Sequence, residues 1–196
     1  MKTFKGILVL AVTLLVAMPV LAQEPQMDPG QQAMMEMMEK LATPGEMHKK
    51  LEPFVGTFDV EATFWMAPGT DPMSSKGTSK NEWILGGRWV AQHYEGEFMG
   101  QMFNGLGMTG YDNYKKEYLS TWMDSMSTTM MVTTGRVDGD TWTYTGKMDD
   151  PMSGTAMDVT EKIILHDNDH HVMEMWAPGP DGKPFKNMEI HYRRVK

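Results

Sequence analysis

The feature that most constrains this chain is a change of rhythm at Gly56. From there to Lys196, β-branched and aromatic residues alternate with polar ones, and turn chemistry interrupts the alternation about every 8 to 12 residues, the signature of sequential antiparallel strands. Phe58, Val60, Ala62 and Phe64 alternate with Thr57, Asp59, Glu61 and Thr63, which predicts a strand with one buried face. The same reading predicts further strands over 75–85, 88–98, 104–111, 117–124, 128–136, 141–147, 155–166, 171–177 and 185–195. Tight turns at Gly86-Gly87, Asp112-Asn113, Asp138-Gly139-Asp140, Asp167-Asn168-Asp169 and Pro180-Asp181-Gly182-Lys183 join neighbours in sequence into neighbours in space. Some ten short strands in one meander make a sheet too long to stay open. Closing it into a barrel removes the exposed edges and encloses room for packed side chains or one small ligand.

The sequence before Gly56 is different. Lys2 and Lys5 precede an apolar run from Ile7 to Val16, Pro19 breaks it, and Val20-Leu21-Ala22 ends on a small residue, so 1–22 reads as a cleavable export signal and the chain as periplasmic or extracellular. Residues 23–46 read as a Met-rich helical lead. Asp28-Pro29-Gly30-Gln31 has the order of a helix start, and Met34, Met37, Met38 and Leu41 fall on one helical face. Thr43-Pro44-Gly45-Glu46 reads as a capping box for a second short helix that carries Met47, Leu51 and Phe54 toward the core, and Gly56 stops it. The barrel domain is then 47–196.

Composition removes several functions. With 18 basic against 26 acidic side chains, and no block of Lys or Arg, nucleic acid and anionic membrane surfaces are poor partners. The leader aside, no stretch suits a membrane-spanning helix. The absence of Cys excludes disulfides, thiolate zinc sites, iron–sulfur clusters, thiol nucleophiles and c-type haem attachment. Nothing in the sequence has the form of a nucleophile elbow, a phosphate-binding Gly loop or a zinc-hydrolase helix.

Several motifs stand in a recognisable order. Leu51 to Phe58 resembles the Gly-x-Trp opening of lipocalin-like barrels, with Phe58 where those carry Trp. Gly56-Thr57-Phe58, Gly86-Gly87-Arg88-Trp89, Gly110-Tyr111-Asp112, Ser120 to Ser125 and the closing Tyr192-Arg193-Arg194 are similar to an exported bacterial family of unknown function, domain of unknown function 1579. The resemblance covers about 47–196. It implies an all-β, calycin-type barrel with a short N-terminal helical segment, and no assigned reaction. Haem-binding relatives of that wider group use a His near the chain end, which makes His191 the residue to test for haem.

Three constellations carry chemistry. Six Trp and six Tyr favour an aromatic-lined pocket. Strand parity groups Trp89 with His93 and Glu95, Trp122 with Asp124, and Trp176 with Glu174, so Trp89, His93, Trp122, Asp124, Glu174 and Trp176 form the expected lining of a site for a small, largely apolar or aromatic ligand. The same set offers His93, Asp124 and Glu174 to an acid–base enzyme, a reading secondary to non-catalytic binding. The 23 methionines form the second. Flexible Met side chains fill irregular cores, and the alternative is that Met34, Met37 and Met38 bind Cu(I) through soft thioethers or face a protein partner. The third is His166-Asp167-Asn168-Asp169-His170-His171: a solvated turn, or a metal site built on His166, His170 and His171. Parity sends His170 and His171 to opposite faces.

Overall fold

The structure is a computed structural model describing residues 27–150 and 154–196. The expected export signal lies outside the described residues. The described residues fall into two units, 27–37 and 38–196.

Helix α1 (Pro29–Ala42) begins as its sequence predicts. Asp28 Oδ1 accepts hydrogen bonds from the Gly30 and Gln31 amides at 2.8 and 3.1 Å, satisfying donors that the first turn cannot pair. None of its residues is buried. The capping box expected on Thr43 and Glu46 does not form, because the N-cap of α2 (Glu46–Lys49) is Gly45. Thr43 Oγ1 instead donates to Glu39 O at 2.7 Å, closing the end of α1, and His48 Nδ1 accepts from the Gly45 amide at 3.1 Å. Pro53 then sits in the 3-10 turn Glu52–Phe54, which hands the chain to the sheet.

Ten strands follow: β1 (Gly56–Phe64), β2 (Met73–Ile84), β3 (Trp89–Phe98), β4 (Gln101–Asp112), β5 (Glu117–Asp124), β6 (Met131–Asp138), β7 (Thr141–Asp150), β8 (Thr155–Asp167), β9 (His170–Pro178) and β10 (Pro184–Arg194). Each pairs antiparallel with its sequence neighbour, and β10 pairs with β1 to close the barrel. β6 starts later than the alternation suggests, because Ser127 Oγ accepts from the Thr129 amide and turns the chain there.

Register fixes the two faces of the wall. Phe58, Val60 and Ala62 on β1 point inward and are buried, while Asp59 and Glu61 between them are exposed. Following the pairs around the barrel puts Ser79 and Asn81, Val90 and Tyr94, Gly105 and Gly107, Tyr118 and Trp122, Thr133, Trp142 and Tyr144, Val159 and Glu161, His171 and Met175, and Ile190 and Tyr192 on the inner face. The outer face of β1 to β3 carries exposed Asp59, Glu61, Lys76, Lys80, Glu82, Glu95 and Glu97. That is the reverse of a lipid-facing barrel. Among the described residues, no helix is long and apolar enough to cross a membrane.

One end of the barrel is plugged by the segment before β1. Leu51 is 1% exposed and packs with Val90, Tyr118, Trp142 and Tyr144, with Met47 and Phe54 beside it. Polar contacts fix the plug: Tyr118 OH donates to Met47 O at 2.8 Å, Asn81 Nδ2 to Phe54 O at 2.8 Å, and Trp83 Nε1 to Glu52 Oε2 at 2.8 Å. Arg194 holds the seam between first and last strands. Its guanidinium donates to Val55 O, Pro53 O and Asn168 O, and lies 4.7 Å from the Phe58 ring centre. Gly56, at φ 133°, leaves the space that the Arg194 side chain occupies.

Candidate functional site: the barrel interior

The interior is aromatic with a polar seam. Phe58, Val60, Tyr94 and Tyr192 form its middle, against Phe103, Trp122, Met173 and Ile190. Through this runs a chain of hydrogen bonds: Asn81 Oδ1 accepts from Ser79 Oγ at 2.7 Å, and Gln92 Nε2 donates to Ser79 Oγ at 3.0 Å and to Tyr192 OH at 3.4 Å.

Across the barrel the accounting is incomplete. Glu161 is 6% exposed and points inward from β8, opposite Tyr144 on β7. Its Oε1 and the Thr133 Oγ1 on β6 make no hydrogen bond of full geometry, although the two side chains are close enough for the hydroxyl to favour the ionised carboxylate. Gly146, paired with both Thr133 and Val159, is what lets Thr133 lean over β7: a Cβ there would stand 2.7 Å from Thr133 Cγ2. Burial dominates the carboxyl and pushes its pKa up to about 7. Glu161 is thus poised between acid and anion near neutral pH, and its field also acts on the Tyr144 and Tyr192 hydroxyls, both raised chiefly by burial. A buried carboxyl with an unmet oxygen is costly unless something pairs with it.

His171 is the other inner titratable group. It stacks on Tyr192 with centroids 4.5 Å apart and receives the edges of Phe54 and Phe58, and burial drives its pKa down to about 3. At the end away from the plug, exposed Met66, Met99, Met102, Met126 and Met130 stand around the rim, an apolar and adaptable surround.

The structure divides the expected lining residues between the two faces. Trp122 and Asp124 are inside, joined by a Trp122 Nε1 to Asp124 Oδ2 hydrogen bond of 3.1 Å. Trp89 and His93 lie on the outer wall, because register pairs Trp89 with Gly110 and His93 with Leu106 while Val90, Gln92 and Tyr94 take the inner positions. His93 and Asp124 border one shallow groove across β3 to β5. Glu174 and Trp176 are also outside, bonded Nε1 to Oε2 at 3.1 Å, with Met173, Met175 and Ala177 inside. Each parity pair therefore shares a face as expected, but only the β5 pair lines the interior. Glu161 was missed; its signal is an acidic residue on the alternation Val159, Glu161, Ile163.

The histidine turn does not make the metal site that was the alternative to a solvated turn. His166 and His170 stack outside at 4.8 Å while His171 is enclosed within the barrel, so the three cannot converge. Among the described residues no three His, Asp or Glu side chains gather to enclose a metal ion. Met34, Met37 and Met38 are exposed on α1. His191 does not suit an axial haem ligand inside the barrel: it lies on the outer face, with Nε2 on Glu189 Oε1 at 2.9 Å.

Against this geometry, comparison with known proteins assigns a family. A family model described as a protein of unknown function (DUF1579) matches residues 43–194. The chain belongs to that family. No curated protein matches it. Among solved structures, the DUF1579 chain is similar to Rv2717c from M. tuberculosis, at 12% identity over 79% of this chain and 100% of that one, with a TM-score of 0.54. A redesigned β-barrel aligns at 16% identity over 78% of this chain and 100% of that one, with a TM-score of 0.41. The first likeness supports the barrel fold.

Proposed function

We propose that this DUF1579 protein is an exported, non-catalytic binding barrel for a small, largely apolar or aromatic molecule carrying one hydrogen-bonding group. The observation that carries the reading is the unmet pair Glu161 Oε1 and Thr133 Oγ1 inside an aromatic interior. Tyr144, Tyr192 and Trp122 would supply apolar contact with little rotamer freedom to lose, and the Met rim a mouth that adapts to shape. Near neutral pH Glu161 can donate or accept, so an alcohol, amide or amine suits it equally in hydrogen-bonding terms.

The test is a fluorescence and thermal-shift screen of small amphipathic compounds against the wild type and Glu161→Leu/Thr133→Val. The reading expects hits that stabilise the wild type and lose at least tenfold in affinity in the double variant. Hits that bind both proteins equally would remove the seam from the site.

A further inference from the structure

A second arrangement lies on the outer wall, separate from the interior. Three imidazoles from β8, β9 and β10 stand in a row: His166 stacks on His170 at 4.8 Å and 17°, and His170 meets His191 edge to edge, with near-parallel rings 5.7 Å apart at 12°. A bulge between Leu165 and Asp167 pushes His166 out of the ladder and over His170. His170 is the outward partner of Arg193 across β9 and β10, and His191 is two positions before it on the same face.

The nitrogens decide what the row can do. His170 Nε2 lies 3.4 Å from His191 Nδ1. That is long for an N–H···N hydrogen bond, and it matches the roughly 3.3 Å between two nitrogens each about 2.05 Å from one tetrahedral ion. His191 Nε2 is at 2.9 Å from Glu189 Oε1, so the proton belongs on Nε2 and the Nδ1 lone pair faces His170. A carboxylate that fixes the tautomer of a histidine is the usual support of an imidazole–metal bond. Glu189 is itself held. The bulge between Lys186 and Met188 keeps Lys186 on the outer face, where its Nζ bonds Glu189 and also Glu174 at 3.2 Å. Glu61, opposite His191 on β1, adds a carboxylate close by, paired with Lys76 at 2.7 Å.

We propose that His170 Nε2 and His191 Nδ1 form a two-histidine site for a divalent transition-metal ion of the imidazole-binding class, with Glu189 as the positioning residue. Water completes the coordination. His166 covers one side of the His170 ring without supplying a ligand, and Arg193 limits affinity by its charge. Among such ions the order of stability favours Cu2+.

The experiment is a titration of the full chain, prepared without chelator, with CuCl2 followed by calorimetry and electron paramagnetic resonance, and with ZnCl2 by calorimetry alone. The proposal expects one equivalent of Cu2+ with hyperfine structure from two imidazole nitrogens, and weaker Zn2+ binding at the same place. His170→Ala and His191→Ala should each lose at least tenfold, and Glu189→Gln several-fold with an altered copper spectrum, whereas His166→Ala should lose less than threefold. Circular dichroism reports whether each variant stays folded; if one does not, diethyl pyrocarbonate labelling of the wild type, with protection of His170 and His191 by Cu2+, gives the same answer. Copper bound equally by the folded His170→Ala/His191→Ala variant, no binding by the wild type, or no protection of those rings would each overturn it.

Discussion

Trp122 lies across Gly105. The two strands pair so that this indole, directed inward from β5, covers the α-carbon of Gly105 on β4, and a Cβ at that glycine would overlap its six-membered ring. The indole is further anchored by its bond to Asp124. Gly105→Ala must therefore displace Trp122 from the aromatic middle of the barrel. We expect a loss of about 1–3 kcal/mol in urea unfolding, with a shift in tryptophan emission. An unchanged midpoint and spectrum would mean that the indole has room to move.

The seam at Arg194 gives a second prediction. Its guanidinium holds three carbonyls and faces Phe58, so Arg194→Ala strips the partner from the half-buried Val55 and Pro53 carbonyls and frees the plug from β1. A loss of roughly 2–4 kcal/mol is expected, and Arg194→Lys should recover little of it, because an ammonium cannot reproduce the planar fork. Equal stability of the Lys variant and the wild type would contradict this.

Stability should respond to pH through two groups that pull in opposite directions. Glu161 has its folded pKa raised from 4.5 to about 7, so its contribution is complete below 4.5 and is lost as pH rises to 7, by roughly 3 kcal/mol. His171 has its folded pKa lowered from 6.5 to about 3, so its contribution is complete above 6.5 and is lost as pH falls toward 3. Their slopes cancel between 4.5 and 6.5, where the unfolding free energy should be flat, and it should fall below 4.5. Glu161→Gln leaves only the histidine, so stability of that variant should rise with pH across the same window. Denaturant unfolding at half-unit pH steps decides it.

Burying an unmet carboxyl lowers stability. Glu161→Leu should therefore raise the unfolding free energy at pH 7 by about 1–3 kcal/mol, the opposite of what most substitutions at buried sites do. A marked loss would mean that Glu161 is satisfied in the folded protein.

Much of the architecture was legible because alternation and turn chemistry are local. The strands around Phe58 to Phe64, the Asp28 cap and the opposite facing of His170 and His171 all follow from period and position. What parity alone leaves open is which face is inside. Trp89 is as large and apolar as Trp122, yet one covers Gly110 on the outer wall and the other Gly105 within. The choice is set by the register of a closed barrel, which couples all ten strands. Glu161 escaped for the same reason: β8 is mixed on both faces, with Lys162 and Ile164 outside, so a lone acid on the inner face carries no local mark. The capping box failed because His48 reached the Gly45 amide and Thr43 closed the previous helix instead.

Native mass spectrometry of the protein, purified from its native source without added ligand, tests the binding reading most directly when run beside Glu161→Leu/Thr133→Val prepared in the same way. The account predicts an organic adduct of defined mass on the wild type and its loss from the folded double variant. A bare wild-type mass, or the same adduct retained by both proteins, would contradict a ligand held at the Glu161 seam.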